Sequence, residues 1–183
     1  RRVGSNHRAR PSCHVPTVFY NPQGENVKPS LMLLNPSAGK GRAGEVEGRL
    51  RQEVARRGLP LEILVTRSEK HLRETVRTEG AGRPLLVAAG GDSTMTIMAE
   101  ELLPLLHPPR IGFVGLGSSN DLALAFGIDG LQRSLDALAG GRSLPIDVGE
   151  VVVVGERRGV FLGQVNAGIG VEVNLAVERW AAK

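Results

Sequence analysis

Four strand-like runs punctuate the chain, and each leads through a polar or glycine-rich turn into a stretch with helical periodicity. The runs are Leu31–Leu34, Leu61–Val65, Pro84–Ala89 and Arg110–Gly115. Between the first two, Val46, Leu50 and Val54 recur every four residues, which predicts a helix from about Ala43 to Arg57, stopped by Gly58. Glu45–Arg49, Glu47–Arg51 and Glu53–Arg57 place acid before base at i,i+4, the favourable order. Ser68 can cap a second helix to about Thr78, with Leu72 and Val76 inward and Gly80 beyond its end. A third is expected over Thr94–Leu106, ended by His107-Pro108-Pro109. A short one should run to Phe126 before Gly127. Asp129 can cap a last one to about Ala139. Leu61–Val65 alternates as LEILV, whereas a short continuous apolar run such as that from Leu85 suits a strand buried on both faces. Strands alternating with helices predict an α/β fold, a parallel sheet flanked by helices on both faces.

The alternation stops near Ser143. Val148–Val154 and 159–165 read as two strands joined by a turn at Gly155-Glu156-Arg157-Arg158, a hairpin with no helix between them. Three regions follow: 1–29, an aperiodic basic leader expected to be disordered; 30–143, an α/β domain; and 144–183, the start of a second, antiparallel β domain expected to be truncated. The chain has no initiator Met and stops within a helical pattern at Lys183, so it is expected to be a fragment at both ends.

Composition narrows the function classes. With 41% hydrophobic and 23% charged residues, the 183-residue chain can bury a core. Aromatics make up only 3%, too few for base stacking, and the leader accounts for the whole net charge of +4. A nucleic-acid partner is therefore not expected. Cys13 is the only cysteine, so no intrachain disulfide can form, which fits a reducing, cytoplasmic setting. No run reaches the roughly 18 apolar residues of a membrane span. An Arg-rich leader could also be a transit peptide, but it lacks the amphipathic helical pattern.

Function in a parallel sheet gathers where the strands end. Leu85–Thr94, LLVAAGGDST, carries the sharpest signal: a buried strand that runs into two glycines, an acid and two hydroxyls. Asn35-Pro36-Ser37-Ala38-Gly39-Lys40 follows the first strand, Thr66 the second, and Gly117-Ser118-Ser119-Asn120-Asp121 the fourth. Amides, hydroxyls and a helix N-terminus together suit phosphate oxygens. Each turn also has a plainer reading: Asn-Pro-Ser is an ordinary turn, Lys40 a solvated loop lysine, Thr66 a strand-end residue, and Ser119-Asn120-Asp121 a helix cap. Two familiar phosphate motifs fail. Leu34 stands where a Walker loop needs its first glycine, and no glycine completes G-x-G-x-x-G after Gly115-Leu116-Gly117.

In this order NPSAGKG, GGDST and GLGSSNDLALAFGI resemble the diacylglycerol kinase catalytic-domain family, which includes bacterial lipid kinases and the sphingosine and ceramide kinases. PIDVGEV and FLGQVNAGIGVEV resemble the opening of that family's second domain, so the likeness covers about Leu31 to Val177. It implies an NAD kinase/diacylglycerol kinase-like fold and an ATP-dependent kinase acting with Mg²⁺ on a lipid hydroxyl, such as that of diacylglycerol, at a membrane surface. Carried over by position, Asn35, Pro36, Ser37, Ala38 and Gly39 would line the nucleotide site. Thr66 would contact it, Ala89, Gly90, Gly91, Asp92, Ser93, Thr94 and Met95 would wrap the phosphates, and Ser118 would touch nucleotide. Asp92 would be the catalytic carboxylate, organising Mg²⁺ and phosphates. The family's metal-binding acids and general base would lie beyond Lys183, which leaves the metal ligands unassigned and this piece alone inactive. Glu172 reads as structural.

Three positions depart from the family pattern. Ser93 replaces a glycine; if its backbone were left-handed, the side chain would cost about 1 kcal/mol or more. Thr96-Ile97 stands for Asn-Glu, which would remove a polar pair from the site, and Ser118-Ser119 stands for Thr-Gly. These departures keep open a non-catalytic nucleotide- or lipid-binding relative, and a shared GGDGT-like turn keeps open an NAD kinase. A homodimer also stays open.

Overall fold

The computed structural model describes residues 28–153, 156–165 and 169–181. Its centre is a parallel sheet of β1 (Ser30–Leu34), β2 (Leu61–Val65), β3 (Leu85–Gly90) and β4 (Arg110–Gly115) in the order β2-β1-β3-β4. Leu34 lies level with both Val65 and Ala89, and Gly90 with Gly115, so the strands end on one line.

Alternate side chains of each strand enter opposite cores. Leu31, Leu33, Leu86, Ala88 and Phe113 pack beneath α3 (Glu69–Glu79), α4 (Asp92–Leu102) and α5 (Asp121–Ala125). Met32, Leu34, Val87, Ala89 and Val114 face α1 (Arg42–Glu45), α2 (Glu47–Arg56) and α6 (Leu131–Gly140). Both faces of the sheet are covered, as the uninterrupted apolar runs require. Each leucine buried this way contributes about 1.5–3 kcal/mol. Ser68 caps α3 by accepting the His71 N–H, and Gly58 and Gly127 follow their helices in the left-handed region.

Several boundaries differ from the sequence reading. The helix expected over 43–57 is interrupted at Val46. Its first turn folds back on the preceding loop, with the Gly44 N–H donating to the Pro36 and Gly41 carbonyls. Of the three i,i+4 pairs, Glu47–Arg51 and Glu53–Arg57 form, and the third straddles the interruption. β3 lies one residue later than expected. α4 starts at Asp92 rather than Thr94, and ends at Leu102 because Pro104 has no N–H to continue it. Asp129 does not cap α6; Gly130, at φ 83°, occupies that position without a side-chain bond.

The hairpin forms as a separate antiparallel sheet of β5 (Gly149–Val153) and β6 (Glu156–Phe161), with a register shift between Val151 and Val152. Glu156 and Arg157 belong to the second strand, paired with Val153 and Val152, so the turn is shorter than expected. Its residues 154 and 155 lie outside the described residues. β6 leans on α4, and Leu162 packs against the core below it. A further helix, α7 (Ile169–Ala181), follows. The leader expected over 1–29 also lies outside the described residues except for Lys28, which pairs with Glu79, and Pro29, whose carbonyl accepts from Arg83.

Candidate functional site

β1 and β3 are neighbours whose chains leave in opposite directions along the sheet, and a crevice opens at such a switch point. The loop after β1 is fastened on both sides. The Asn35 backbone N–H donates to the Ala89 carbonyl at 2.9 Å. Its side-chain Nδ2 donates to Thr94 Oγ1 at 3.0 Å, while its Oδ1 accepts the Ser37 N–H at 3.1 Å. Gly39, Lys40 and Gly41 then turn through the left-handed region, with φ of 59°, 61° and 89°.

Glycine is required here because backbones touch. A β-carbon on Gly39 would lie 2.6 Å from the Leu116 carbonyl oxygen, and one on Gly117 would lie 2.6 Å from Gly91 Cα. Real β-carbons do not approach that closely. The turns after β1, β3 and β4 therefore meet with their main chains in contact. The Leu116 N–H closes the seam by donating to the Gly90 carbonyl at 2.7 Å.

The fourth-strand turn is shaped by Asn120, held at φ 56°. Its Oδ1 accepts the Gly117 N–H at 2.6 Å and its Nδ2 donates to the Gly117 carbonyl at 3.1 Å. Asp92, the first residue of α4, reaches across to the same turn. Its Oδ2 accepts the Asp121 N–H at 3.1 Å and its Oδ1 the Leu122 N–H at 3.2 Å.

The result is a cleft of about 360 Å³. Eight of the expected residues line it: Asn35, Ser37, Ala38, Gly39, Gly91, Asp92, Ser93 and Ser118. Gly117 and Ser119 line it as well. Both sit inside the Gly-Leu-Gly-Ser-Ser-Asn run, whose glycines and hydroxyls were the signal for them. The other six expected residues support the wall from behind. Thr66 is buried, and its hydroxyl and amide both donate to the Leu34 carbonyl, at 3.1 and 2.8 Å. Ala89, Thr94 and Met95 belong to the interior, Gly90 ends its strand fully buried, and Pro36 packs against Gly44.

Ser93 is not strained. It is an exposed residue in the first turn of α4, and the only non-glycine residues at positive φ among those described are Lys40 and Asn120. Nor do Thr96 and Ile97 line the cleft. The Thr96 hydroxyl donates to the Asp92 carbonyl at 3.0 Å, and Ile97 packs on the core. The Asp92 and Ser93 amides carry no acceptor among the described residues, and an 11-residue helix places its positive dipole end beside them. Hydroxyls, free amides and that dipole are groups suited to an anion, with the Asp92 carboxylate beside them. A larger hollow of about 710 Å³ along the outer edge of β4 is lined by apolar side chains such as Phe113, Phe126 and Ile128, and it lacks this convergence.

Residues 29–151 match the family model described as diacylglycerol kinase catalytic domain. The protein named "Probable lipid kinase YegS-like" of Serratia proteamaculans is 31% identical over 153 residues, 79% of this chain and 47% of that protein. The diacylglycerol kinase of Bacillus subtilis is 38% identical over 69 residues, 37% of this chain and 23% of that one. Among solved structures, a diacylglycerol kinase from Bacillus anthracis superposes with a TM-score of 0.59 at 23% identity, over 66% of this chain and 42% of its own. At that identity the likeness speaks for the fold. The chain spans less than half the length of these relatives.

Proposed function

The chain belongs to the diacylglycerol kinase catalytic-domain family, and from that premise we propose that its cleft takes the triphosphate of ATP and that the whole protein transfers the γ-phosphate to a lipid hydroxyl, such as that of diacylglycerol. The observation that carries this reading is the meeting of three main-chain-lined turns at the N-terminus of α4. Phosphoryl transfer asks a protein chiefly for positioning and for donors aimed at phosphate oxygens. The Asp92 and Ser93 amides and the hydroxyls of Ser37, Ser118 and Ser119 are donors of that kind.

The donor set also bears on the cation. Among the described residues no three His, Cys, Asp or Glu side chains stand together, and Asp92 is the one acid on the cleft wall. Mg²⁺ carried on the nucleotide phosphates would neutralise the charge of the transferring group, and the family resemblance assigns further metal-binding acids to the part of the relatives' length that this chain does not span. The described residues thus supply binding and orientation. A base for the lipid hydroxyl is assigned to the part of the relatives' length that this chain does not span. The family resemblance places the lipid acceptor at a membrane surface; no described helix is long and apolar enough to cross a membrane.

Two measurements test the reading. Calorimetric titration of the chain with ATP and MgCl₂ should show one site, weakened in Gly117→Val. The full-length protein, given labelled ATP and a panel of lipids, should label a lipid hydroxyl. Labelling of NAD instead would replace the lipid acceptor, and an unchanged ATP affinity in Gly117→Val would remove the cleft from the reading.

A further inference from the structure

Asp92 is the one acid on the cleft wall, yet both of its carboxylate oxygens already accept hydrogen bonds from the α5 amides of Asp121 and Leu122, at 3.1 and 3.2 Å. Those amides need a partner from elsewhere. Asn120, in the N-cap position of α5, makes no side-chain cap, because both ends of its side-chain amide are bonded to Gly117. α5 has only five residues, too few to hold itself together unaided. Asp92 therefore caps it across 29 residues of sequence, in an arrangement that side chains within α5 do not provide.

The turn that carries Ser118 and Ser119 is consequently pinned at both ends to the same β3–α4 junction. Upstream, the Leu116 N–H donates to Gly90 and Gly117 lies against Gly91. Downstream, Asp92 holds Asp121 and Leu122. We propose that Asp92 is a positioning residue: it acts on bound nucleotide through the 117–121 turn, whose downstream end its carboxylate holds. The proposal rests on the nucleotide reading of the cleft for its functional part, while the clamp itself stands on the hydrogen bonds.

The test compares Asp92→Ala with Asp92→Asn, whose carbonyl keeps one of the two acceptors. Hydrogen–deuterium exchange over residues 117–126 and ATP affinity are measured in each, with MgCl₂ and with EDTA. Asp92→Ala should speed exchange in that segment on the order of tenfold, and weaken ATP by a similar factor with or without Mg²⁺. Asp92→Asn should recover part of both together. If Asp92→Ala does not fold, Asp92→Asn alone must still show faster exchange than the native chain and a Mg²⁺-independent loss of affinity. Native exchange in either variant, or an affinity loss confined to Mg²⁺ and equal in both, would overturn the clamp. A native chain that binds no ATP would sink the nucleotide reading alone, because the exchange measurement still decides the clamp.

Discussion

Two regions of this molecule hold together by different means. At the carboxyl ends of the strands, three turns meet main chain against main chain, with Gly39 on Leu116 and Gly117 on Gly91. Between the outer helices the joints are ion pairs. Arg73 of α3 donates to Glu100 and Glu101 of α4 at 2.9 and 2.7 Å, and Arg77 donates to Glu101 as well. On the other face Arg57, just after α2, donates to Gln132 and Asp136 of α6 at 2.6 and 2.9 Å. Long side chains can bridge variable gaps, whereas a main-chain contact admits nothing larger than hydrogen. The first region is thus built for a fixed shape that offers amides to a ligand, the second for joining layers.

The comparison breaks most decisively at Gly117. A valine there must move either Gly91 or Asn120, whose Oδ1 would lie 2.9 Å from the new β-carbon. ATP affinity, read by titration, should fall by roughly 5- to 150-fold, since overpacking of about 1–3 kcal/mol falls on the binding surface itself. A Gly117→Val chain that binds ATP normally would show that the turns are looser than their contacts imply.

Glu101 is the corresponding test between the helices, with a smaller effect of a different kind. Its side chain is 8% exposed. Burial alone would raise its pKa, but hydrogen bonds from Arg77 and Arg73 outweigh burial and hold the carboxyl below the ordinary range. Those same bonds, Glu101 first and Glu100 second, hold the Arg73 guanidinium above its usual value. Glu101→Gln should cost about 2 kcal/mol in a urea melt at pH 7, below the range for a fully buried pair because Arg77 is mostly exposed. ATP affinity should stay within about twofold. A depressed carboxylate pKa gives stability that is complete above the unfolded value of about 4.3 and disappears as pH falls through the folded value. The gap between native and Glu101→Gln melts should therefore narrow below about pH 4. A gap that is constant with pH would mean that the pair contributes packing and not charge.

The same contrast explains what the sequence makes legible. β1 and β3 read most directly, because residues such as Met32 and Leu33 enter opposite cores and both must be apolar. The stop at Leu102 is legible in Pro104, although Leu105 and Leu106 extend the apolar pattern past it. Eight of the residues expected from the strand-end turns line one cleft, because those turns follow neighbouring strands that end on one line. The reading fails where a partner lies far along the chain. Nothing near Asp92 announces Leu122, 30 residues on, and nothing near Thr66 announces that its hydroxyl turns back to Leu34. The interruption at Val46 likewise depends on Pro36, which local periodicity does not see.

Ser93 offers the smallest test, because the sequence leaves its backbone open and the structure decides it. A serine in place of a glycine would be strained if its backbone were left-handed, and Ser93→Gly would relieve that strain. In the structure Ser93 is an ordinary helical residue in the first turn of α4, exposed, with space for its side chain. Glycine there gains no backbone freedom that the fold uses, and it loses a hydroxyl from the cleft wall. Ser93→Gly should therefore lower stability by about 0.5 kcal/mol in a urea melt, the usual helical cost of glycine relative to serine. It should weaken ATP no more than a few-fold, the worth of one neutral hydrogen bond. A stabilised variant would mean that the β3–α4 junction relaxes into another shape once the side chain is gone, and the main-chain contacts at Gly91 and Gly117 would then owe part of their closeness to that serine.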